Sequence, residues 1–308
     1  MNDFDNKTAA IAKALGAVPF CTDEPMKKHT FFRIGGNVRL YITPGSESEL
    51  IKAVEICREN GVEPFIIGNG TNLLVNDGAL DIIAISTREL DDITLTGENE
   101  LTAGAGALLS HIAVFALENA LAGMEFAHGI PGSLGGAVFM NAGAYGGEMK
   151  DIVTSTRVLG ADGKVREIRG AEHEFGYRTS FAEKSGGIVL SSAIKLRPGV
   201  KADIKARMDE LMAKRSASQP LNYPSAGSTF KRPVGGYAAA LIDGAGLKGL
   251  TVGGAQVSEK HAGFVINAGG ASFRDVRELI SEIQRRVFDN SGIMLEPEVR
   301  IIGEQGAE

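Results

Sequence analysis

The chain has 308 residues, of which 44% are hydrophobic, so it is long enough to bury a large core and to form about two domains. Its 38 acidic side chains outnumber the 32 lysines and arginines, and the formal net charge is −6. This charge argues against broad binding to nucleic acid or to an anionic membrane, because both require a basic face. We therefore expect neither partner, although a local basic pocket is compatible with the charge.

The cysteines and histidines indicate a reducing compartment and no metal. Only two cysteines occur, and Cys57 falls in an amphipathic helical pattern, so neither a disulfide framework nor a thiolate metal site is expected. The five histidines lack metal-ligand spacing. The N-terminal sequence has no basic segment followed by an apolar core, and no apolar run reaches membrane-spanning length. These features predict a soluble, cytoplasmic protein.

The first predicted elements form a β-α-β unit. A strand over 38–42 is followed by a capping-box pattern from Ser46 to Glu49 and by a helix that ends at Gly61. Apolar residues at 65–67 predict the next strand. The segment up to the longest glycine block is then predicted to contain two strands and a helix, at 73–75, 82–86 and about 107–121.

The second half of the chain predicts further strands and helices. The dipeptide Asp162-Gly163 is a hairpin signal between strands at 153–159 and 165–168, and with another strand at 188–196 a mixed sheet is implied. Prolines after the helix at 202–217 favour a domain boundary near residue 219. The remaining predicted elements are a short helix, a strand, a capped helix and a last strand, at about 237–242, 263–266, 272–288 and 299–302.

Glycine is unusually frequent and clustered: 40 residues are glycine, a share well above the typical value of about 7%. The stretch GNGTNLLV, residues 68–75, lies between two apolar triplets, and HGIPGSLGGAVFMNAGAYGG spans 128–147. Such segments expose backbone N–H groups with little side-chain bulk, which suits a flat ring system and a pyrophosphate. Taken singly, each block is equally compatible with a tight structural turn.

One glycine pattern is misleading. Residues 244–249, GAGLKG, match the dinucleotide-binding spacing, but a helix-like segment precedes them and no clear helix follows. Because the motif has meaning only between a strand and a helix, we interpret it as a structural turn or a coincidence.

Five ordered motifs carry a family resemblance. GNGTNLLV, GIPGSLGGAVFMNAGAYG, FGYRTS, AGSTFKRP and LEPEVR closely resemble the UDP-N-acetylenolpyruvoylglucosamine reductases, flavoenzymes of peptidoglycan precursor synthesis, over about residues 30–303. The resemblance implies an α+β fold with a vanillyl-alcohol-oxidase-type FAD-binding region of two α+β subdomains and a C-terminal α+β substrate domain. We place the FAD-binding region at 1–218, with subdomains at about 20–90 and 91–218. The substrate domain is placed at 219–308, with its last strand, about 293–303, returning toward the flavin site.

The resemblance also implies the cofactors and the reaction. FAD would accept a hydride from NADPH, NADPH would leave, and the enolpyruvyl ether of a UDP-amino sugar would then be reduced to UDP-N-acetylmuramate. The substrate is a small molecule, and no obligate protein partner is inferred. The residues implied in FAD binding are Ile67, Gly68, Asn69, Gly70, Thr71, Asn72, Ile130, Pro131, Gly132, Ser133, Gly135, Gly136, Asn141 and Gly143.

Three residues match the family's catalytic positions. Arg178 suits the enolpyruvyl carboxylate, because a guanidinium pairs a carboxylate through parallel charge-assisted hydrogen bonds. Ser228 is implied as the proton donor, which requires help from a neighbour such as Lys231 or from water, since a hydroxyl is a very weak acid. Glu298, if protonated, could donate to the carboxylate, which would need burial to raise its pKa. Periodicity does not distinguish it from Glu296, and only the motif does.

Substrate contacts are implied for Tyr177, by ring packing, and for Lys231, through the diphosphate. Arg232 stands where some relatives carry asparagine. The short segment between Arg178 and the strand at 188 resembles the branch of the family without an extra tyrosine-bearing loop.

Two other functions stay open on sequence grounds. An oxidase on the same flavin domain would reoxidise its flavin rapidly in air, and the conjunction of Tyr177-Arg178, Ser228 and Glu298 argues against it. A non-enzymatic flavin or UDP-sugar binder would bind its ligand tightly without NADPH turnover.

Overall fold

A computed structural model of the chain describes residues 3–304. The helices are α1 Asp3–Ala14, α2 Glu47–Glu59, α3 Leu109–Glu118, α4 Leu134–Phe139, α5 Phe181–Ser185, α6 Lys201–Ser218, α7 Ala238–Gly244 and α8 Phe273–Ser291. The strands of the first half are β1 Phe20–Pro25, β2 Asn37–Ile42, β3 Phe65–Ile67, β4 Leu73–Val75, β5 Leu80–Ser86, β6 Ile93–Gly97, β7 Glu100–Gly104, β8 Leu121–Ala122, β9 Gly143–Ala144 and β10 Gly147–Glu148. The others are β11 Val153–Leu159, β12 Val165–Arg169, β13 Ile188–Lys195, β14 Arg197–Pro198, β15 Thr251–Val252, β16 Ala255–Val257, β17 Val265–Asn267 and β18 Arg300–Ile302.

The described chain divides into two compact units. Unit 1 contains residues 3–22, 39–69 and 81–214, and unit 2 contains residues 23–38, 70–80 and 215–304. Each unit is therefore built from three separate stretches of sequence. The predicted boundary after residue 218 and the predicted flavin subdomains remain predictions, and two stretches from the first third of the chain pack with the C-terminal residues.

Two sheets organise unit 1. One has the strand order β1-β2-β5-β3, and its β3 and β5 run parallel, with Phe65 opposite Ala84. The other has the order β12-β11-β13-β7-β6 and consists of antiparallel pairs throughout. The prediction of a mixed sheet for the strands at 153–196 was therefore wrong. β11 pairs antiparallel with both β12 and β13, and β13 pairs antiparallel with β7.

Each sheet of unit 1 buries its own apolar face. Apolar side chains of α2, such as Leu50 and Val54, are fully buried with Leu40 and Ile85 of the four-stranded sheet. The five-stranded sheet buries a second cluster with α3 and α4, whose apolar spacing forms one face of each helix. The short helix α4 lies within the glycine-rich block and was not predicted.

Unit 2 is a small α+β unit. The antiparallel sheet β15-β16-β17 shares a core with α8, which buries Val276, Leu279, Ile280, Ile283 and Val287 on one face. The last strand, β18, pairs in parallel with β4, so Arg300 lies opposite Leu73. Of the misleading glycine pattern at 244–249, Gly244 ends α7 and the other residues lie in the turn between α7 and β15, as interpreted.

The other predicted elements are found with shifted ends. The helix expected at about 107–121 is shorter at both ends and covers Leu109–Glu118. Ser46 caps α2 as expected, but Glu49 accepts from the N–H of Gly45 and not from that of Ser46. None of the described helices is long and apolar enough to cross a membrane.

Removing the cap of α8 should destabilise the protein measurably. Ser272 Oγ accepts from the N–H of Asp275, and Asp275 accepts in return from the N–H of Ser272. We expect Ser272→Ala to lower the free energy of unfolding by about 1 kcal/mol. Ser281→Ala on the exposed surface of the same helix should change it by less than about 0.5 kcal/mol. Equal effects in denaturant titrations would contradict the capping assignment.

His173 should make the protein sensitive to acid. Its ring is buried and stacked on Phe175, and its nitrogens bond Thr156 and the carbonyl of Gly170. Burial lowers the pKa of His173 below the ordinary 6.5. Below that pH the unfolded state binds a proton that the folded state does not, so stability falls as the pH falls.

We expect His173→Asn to flatten the dependence of the melting temperature on pH below about 6.5. Thr156→Val, which loses a hydrogen bond but keeps the imidazole, should be less stable at every pH and should retain the slope. A wild-type slope in His173→Asn would show that this imidazole does not titrate in that way.

Candidate active site

The turn after β3 approaches a buried serine closely. A Cβ placed on Gly68 would lie 2.3 Å from Ser133 Oγ, so no larger residue fits there without displacing the serine. Ser133 is only 1% exposed, and its hydroxyl has no hydrogen-bond partner among residues 3–304. A buried hydroxyl without a partner is costly, which indicates that a ligand supplies the missing partner.

Backbone donors surround the same hydroxyl. Within the described part of unit 1, the N–H groups of Gly68, Asn69, Gly132, Ser133 and Gly136 donate to no protein acceptor. The side chain of Asn69 is used differently, since its Nδ2 donates to the carbonyl of Pro131 at 2.5 Å. That hydrogen bond ties the Gly68 turn to the Gly132 turn, and the result is a concave group of donors that suits an anion.

Other predicted flavin residues have structural roles in the fold. The N–H of Gly135 donates to the carbonyl of Ala105, and a Cβ on Gly135 would lie 2.9 Å from the Cβ of Ala105. A Cβ on Gly143 would lie 2.7 Å from the carbonyl oxygen of Gly147 in the β9-β10 hairpin. These two glycines are therefore required for close packing, whatever the ligand.

Two residues before the glycine turns support them. Ile67 ends β3, and its carbonyl accepts from the N–H of Thr87. Ile130 packs against the core of the five-stranded sheet, and its N–H donates to the carbonyl of Ala127. Both residues therefore set the positions of the backbone on which the free donors lie.

Thr87 is a residue that the sequence reasoning missed. It directly follows β5, its side chain is buried, and its Oγ1 would lie 3.8 Å from a Cβ on Gly68. Because β3 and β5 are adjacent and parallel, Gly68 and Thr87 follow the same edge of the sheet, which is where open parallel sheets bind ligands. The sequence signal that could have identified Thr87 is a polar residue directly after the strand predicted at 82–86.

The second half of the GNGTN turn belongs to unit 2. Gly70 lies against the backbone of His29, and its carbonyl accepts from the N–H of Phe31. Asn72 makes two hydrogen bonds with the start of the last strand. Its Nδ2 donates to the carbonyl of Glu298, and its backbone carbonyl accepts from the N–H of Arg300. The N–H groups of Gly70, Thr71 and Asn72 donate to no acceptor in the described residues.

Arg178 lies in a strained turn of unit 1. Gly176 and Thr179 form an antiparallel bridge, so Tyr177 and Arg178 are the two central residues of the turn. Arg178 has a φ of +58°, which an arginine rarely adopts, and its guanidinium carbon lies 5.3 Å from the centre of the Tyr177 ring. Tyr177 is 52% exposed, so its ring is available to a ligand.

Ser228 and Glu298 are brought together in unit 2. Phe230 pairs with Pro297, and the N–H of Glu298 donates to the carbonyl of Thr229. Two motifs that are almost seventy residues apart in sequence are thus neighbours in one short antiparallel ladder. Ser228 is exposed, with its Oγ 3.3 Å from the carbonyl of Phe230, and Glu298 is half-buried.

Lys231 and Glu296 form an ion pair at the next rung of this ladder. The N–H of Lys231 donates to the carbonyl of Glu296, and its Nζ contacts the carboxylate of the same residue. Glu296 is exposed and engaged by Lys231, while Glu298 is less exposed, so the structure distinguishes two carboxylates that periodicity did not. Within the described residues no group of His, Cys, Asp and Glu is arranged to hold a metal ion.

Comparison with known proteins identifies the family. A UDP-N-acetylenolpyruvoylglucosamine reductase from Clostridium perfringens (strain SM101 / Type A) is 49% identical over 281 residues, which cover 91% of this chain and 92% of the relative. One from Clostridium kluyveri (strain NBRC 12016) is 45% identical over 304 residues, 99% of this chain and 100% of the relative. The chain belongs to the UDP-N-acetylenolpyruvoylglucosamine reductase family.

Domain models and solved structures agree with this family. Residues 219–302 match the C-terminal domain of UDP-N-acetylenolpyruvoylglucosamine reductase, and residues 38–169 match an FAD binding domain. The crystal structure of the reductase from Thermus caldophilus is 36% identical, with a TM-score of 0.79 and coverage of 93% of this chain and 99% of that one.

A grass pollen allergen with glucose dehydrogenase activity, Phl p 4, shares the fold only, at 17% identity, a TM-score of 0.50 and coverage of 62% of this chain and 44% of the allergen. The predicted fold class is confirmed: a vanillyl-alcohol-oxidase-type FAD-binding region and a C-terminal α+β domain.

The donors around Ser133 fit the FAD of this reductase family. A pyrophosphate offers many acceptor oxygens and no donor, whereas the groups free at this position are one hydroxyl and several backbone N–H groups. The absence of a side chain at Gly68 keeps its backbone close to the Ser133 hydroxyl.

Ser133→Ala should affect the free protein and the FAD complex in opposite directions. Removing a buried hydroxyl without a partner should leave the melting temperature of the FAD-free protein unchanged or raise it. Loss of the hydrogen bond should weaken FAD binding roughly tenfold. Thermal melts and fluorescence titrations with FAD measure the two effects.

Ser192→Ala is the matched control, because that buried hydroxyl does have a partner in Thr156. It should lower stability by about 1 kcal/mol and leave FAD affinity unchanged. An unchanged FAD affinity in Ser133→Ala would remove this hydroxyl from the flavin site.

Proposed function

We propose that the protein reduces UDP-N-acetylglucosamine enolpyruvate to UDP-N-acetylmuramate, with FAD as cofactor and NADPH as reductant, in peptidoglycan precursor synthesis. The observation that supports this most directly is the pairing of 229–231 with 296–298, which makes Ser228 and Glu298 neighbours. Reduction of an enolpyruvyl ether requires a proton donor, here Ser228, and a group that stabilises the substrate carboxylate, here Glu298.

FAD, when bound, supplies hydride transfer from NADPH to the terminal carbon of the vinyl group. The residues that would hold it are Gly68 and Asn69, with Gly132, Ser133 and Gly136 around the pyrophosphate, and the backbone of 70–72. Asn141 has no free amide group for this purpose, because all of its side-chain donors and its acceptor are used by the protein.

Arg178 binds the enolpyruvyl carboxylate in this proposal. Addition of hydride to the terminal vinyl carbon pushes an electron pair onto the adjacent carbon and into the carboxylate. A guanidinium paired with that carboxylate stabilises the added charge more than the ground state, which is the requirement for catalysis. Exposed Tyr177 packs beside the substrate, and its ring already contacts the guanidinium.

Ser228 completes the reduction by giving its proton to the carbon that carries the negative charge. Hydride and proton together convert the C=C bond into the lactyl ether, and solvent returns the proton to the serine. Glu298, in its protonated form, donates a hydrogen bond to the substrate carboxylate as it becomes enolate-like. Its partial burial next to Thr229 is compatible with this role.

Lys231 contacts the diphosphate of the substrate in this proposal. Its ion pair with Glu296 must then be shared or broken when the nucleotide binds. The same requirement applies if Lys231 stabilises the alkoxide of Ser228, so Glu296 regulates how readily this lysine reaches either target.

The test is an anaerobic titration of the yellow protein followed by its visible spectrum. NADPH should bleach the flavin band, and UDP-N-acetylglucosamine enolpyruvate should restore it without oxygen. Bleaching without recovery would overturn the substrate. Rapid recovery in air alone would favour an oxidase, and no bleaching by NADPH would favour a binding protein.

Replacing Ser228 should separate the two half-reactions. Ser228→Ala should bind FAD and be reduced by NADPH at the wild-type rate, yet be reoxidised by the enolpyruvyl substrate roughly 10²- to 10⁴-fold more slowly. That loss corresponds to roughly 3–5 kcal/mol of barrier. Stopped-flow measurements provide the two rates. Ser225→Ala, three residues earlier, should behave as wild type, and normal reoxidation of Ser228→Ala would exclude it as the acid.

A further inference from the structure

The turn that carries Arg178 requires support. A residue with a side chain at a φ of +58° is strained, so the turn persists only if its surroundings hold it. Its own closure consists of two hydrogen bonds between Gly176 and Thr179, of which one is 3.1 Å and the other is long at 3.4 Å. Side chains outside the turn add further support.

Asn141 provides the first support. It is 1% exposed, and its Nδ2 donates both to the carbonyl of Gly176 and to Glu148 Oε2, each at 2.9 Å. Its Oδ1 accepts from the N–H of Lys150 at 3.0 Å. The amide thus fixes the residue that begins the Arg178 turn, and it has no donor left for a ligand.

A second support comes from the other side of the turn. Ser180 Oγ donates to the carbonyl of Phe139 at 2.7 Å, and the same oxygen caps α5 by accepting from the N–H of Glu183. Phe139 is the last residue of α4, and Asn141 follows it by two positions. Since α4 begins directly after Ser133, one short helix connects the donors around Ser133 with both supports of the Arg178 turn.

Glu148 contributes charge to this arrangement. Its carboxylate accepts from Lys150 Nζ at 2.9 Å and from Asn141, and it caps the turn that follows it. The hydrogen bond from Lys150, then that from Asn141 and the nearby charge of Arg178, lower the pKa of Glu148 below its ordinary value. The group is therefore a negatively charged acceptor that holds the Asn141 amide beside the carbonyl of Gly176.

We propose that Asn141 and Glu148 are positioning residues for Arg178, in which Asn141 fixes the backbone of the turn and Glu148 holds the Asn141 amide in place by accepting its hydrogen bond. This inference rests on the proposed function and assigns Asn141 a role other than flavin binding. Neither residue contacts the reacting atoms in this assignment, so their effects should appear only where Arg178 is used.

Two variants of the FAD-bound protein remove these interactions while preserving side-chain size. Asn141→Asp places a carboxylate against Glu148 and against the carbonyl of Gly176, so both donated hydrogen bonds are lost. Glu148→Gln removes the charge. The matched controls in unit 1 are Asn119→Asp, whose exposed amide bonds a helix carbonyl, and Glu183→Gln, whose carboxylate bonds Thr179 beside the same turn.

Stopped-flow absorbance measures flavin content, reduction by NADPH and reoxidation by the enolpyruvyl substrate. Asn141→Asp and Glu148→Gln should slow reoxidation roughly 10- to 100-fold, because a small displacement of a catalytic group is costly. Flavin content and the rate of reduction should match those of the wild type, as should all three values in the controls. Loss of FAD from Asn141→Asp, or unchanged reoxidation in both variants, would overturn the inference.

A second readout is independent of the substrate. In protein labelled with ¹⁵N-arginine, the Nε–H signal of Arg178 is assigned by its absence in Arg178→Lys, and its exchange with solvent is measured. Exchange should be roughly tenfold faster in Asn141→Asp and in Glu148→Gln than in the wild type and the controls. If wild-type flavin is not reoxidised by the enolpyruvyl ether, the proposed function fails, and equal exchange in all variants separately refutes the positioning role.

Discussion

The close approach of Gly68 to Ser133 is the constraint on which the proposed flavin site depends. With 2.3 Å between Ser133 Oγ and the place of a Cβ, only glycine allows the end of β3 to meet the start of α4. The contact leaves a hydroxyl and several backbone donors without protein partners. The protein therefore accepts a local cost in the free state that a bound pyrophosphate would offset.

Helix α4 connects the Gly68–Ser133 contact with the turn that carries Arg178. It begins at Leu134, beside the unpaired donors, and ends at Phe139, where Asn141 and the Phe139 carbonyl hold the strained turn of Arg178. This helix has only six residues, and Gly135 allows it to pack closely on Ala105, directly after β7. The proposed flavin donors and the proposed supports of Arg178 thus lie at the two ends of the same short helix.

The sequence predicted the elements that have a strong periodic signal. Helices α2, α6 and α8 and the strands β3, β4 and β11 were located within a few residues, since each has a clear apolar face or run. Helix α4 and the β9-β10 hairpin were missed, because glycine disfavours both states locally and only tertiary packing decides between them. The five-stranded sheet was expected to be mixed for a similar reason, as strand direction depends on pairing partners far apart in sequence.

By itself, the sequence determined the family, because ordered motifs are properties of the chain, and it predicted the flavin-type glycine turns and the roles of Arg178, Ser228 and Glu298. The tertiary structure decided which residues of the glycine-rich segments have hydrogen-bonding groups that the protein itself does not use. It showed that the amide of Asn141 and the N–H of Gly135 are already used by the protein, whereas the hydroxyl of Ser133 is not. Hydrogen-bond partners come from distant segments, so only the folded chain reveals which donors are left for a ligand.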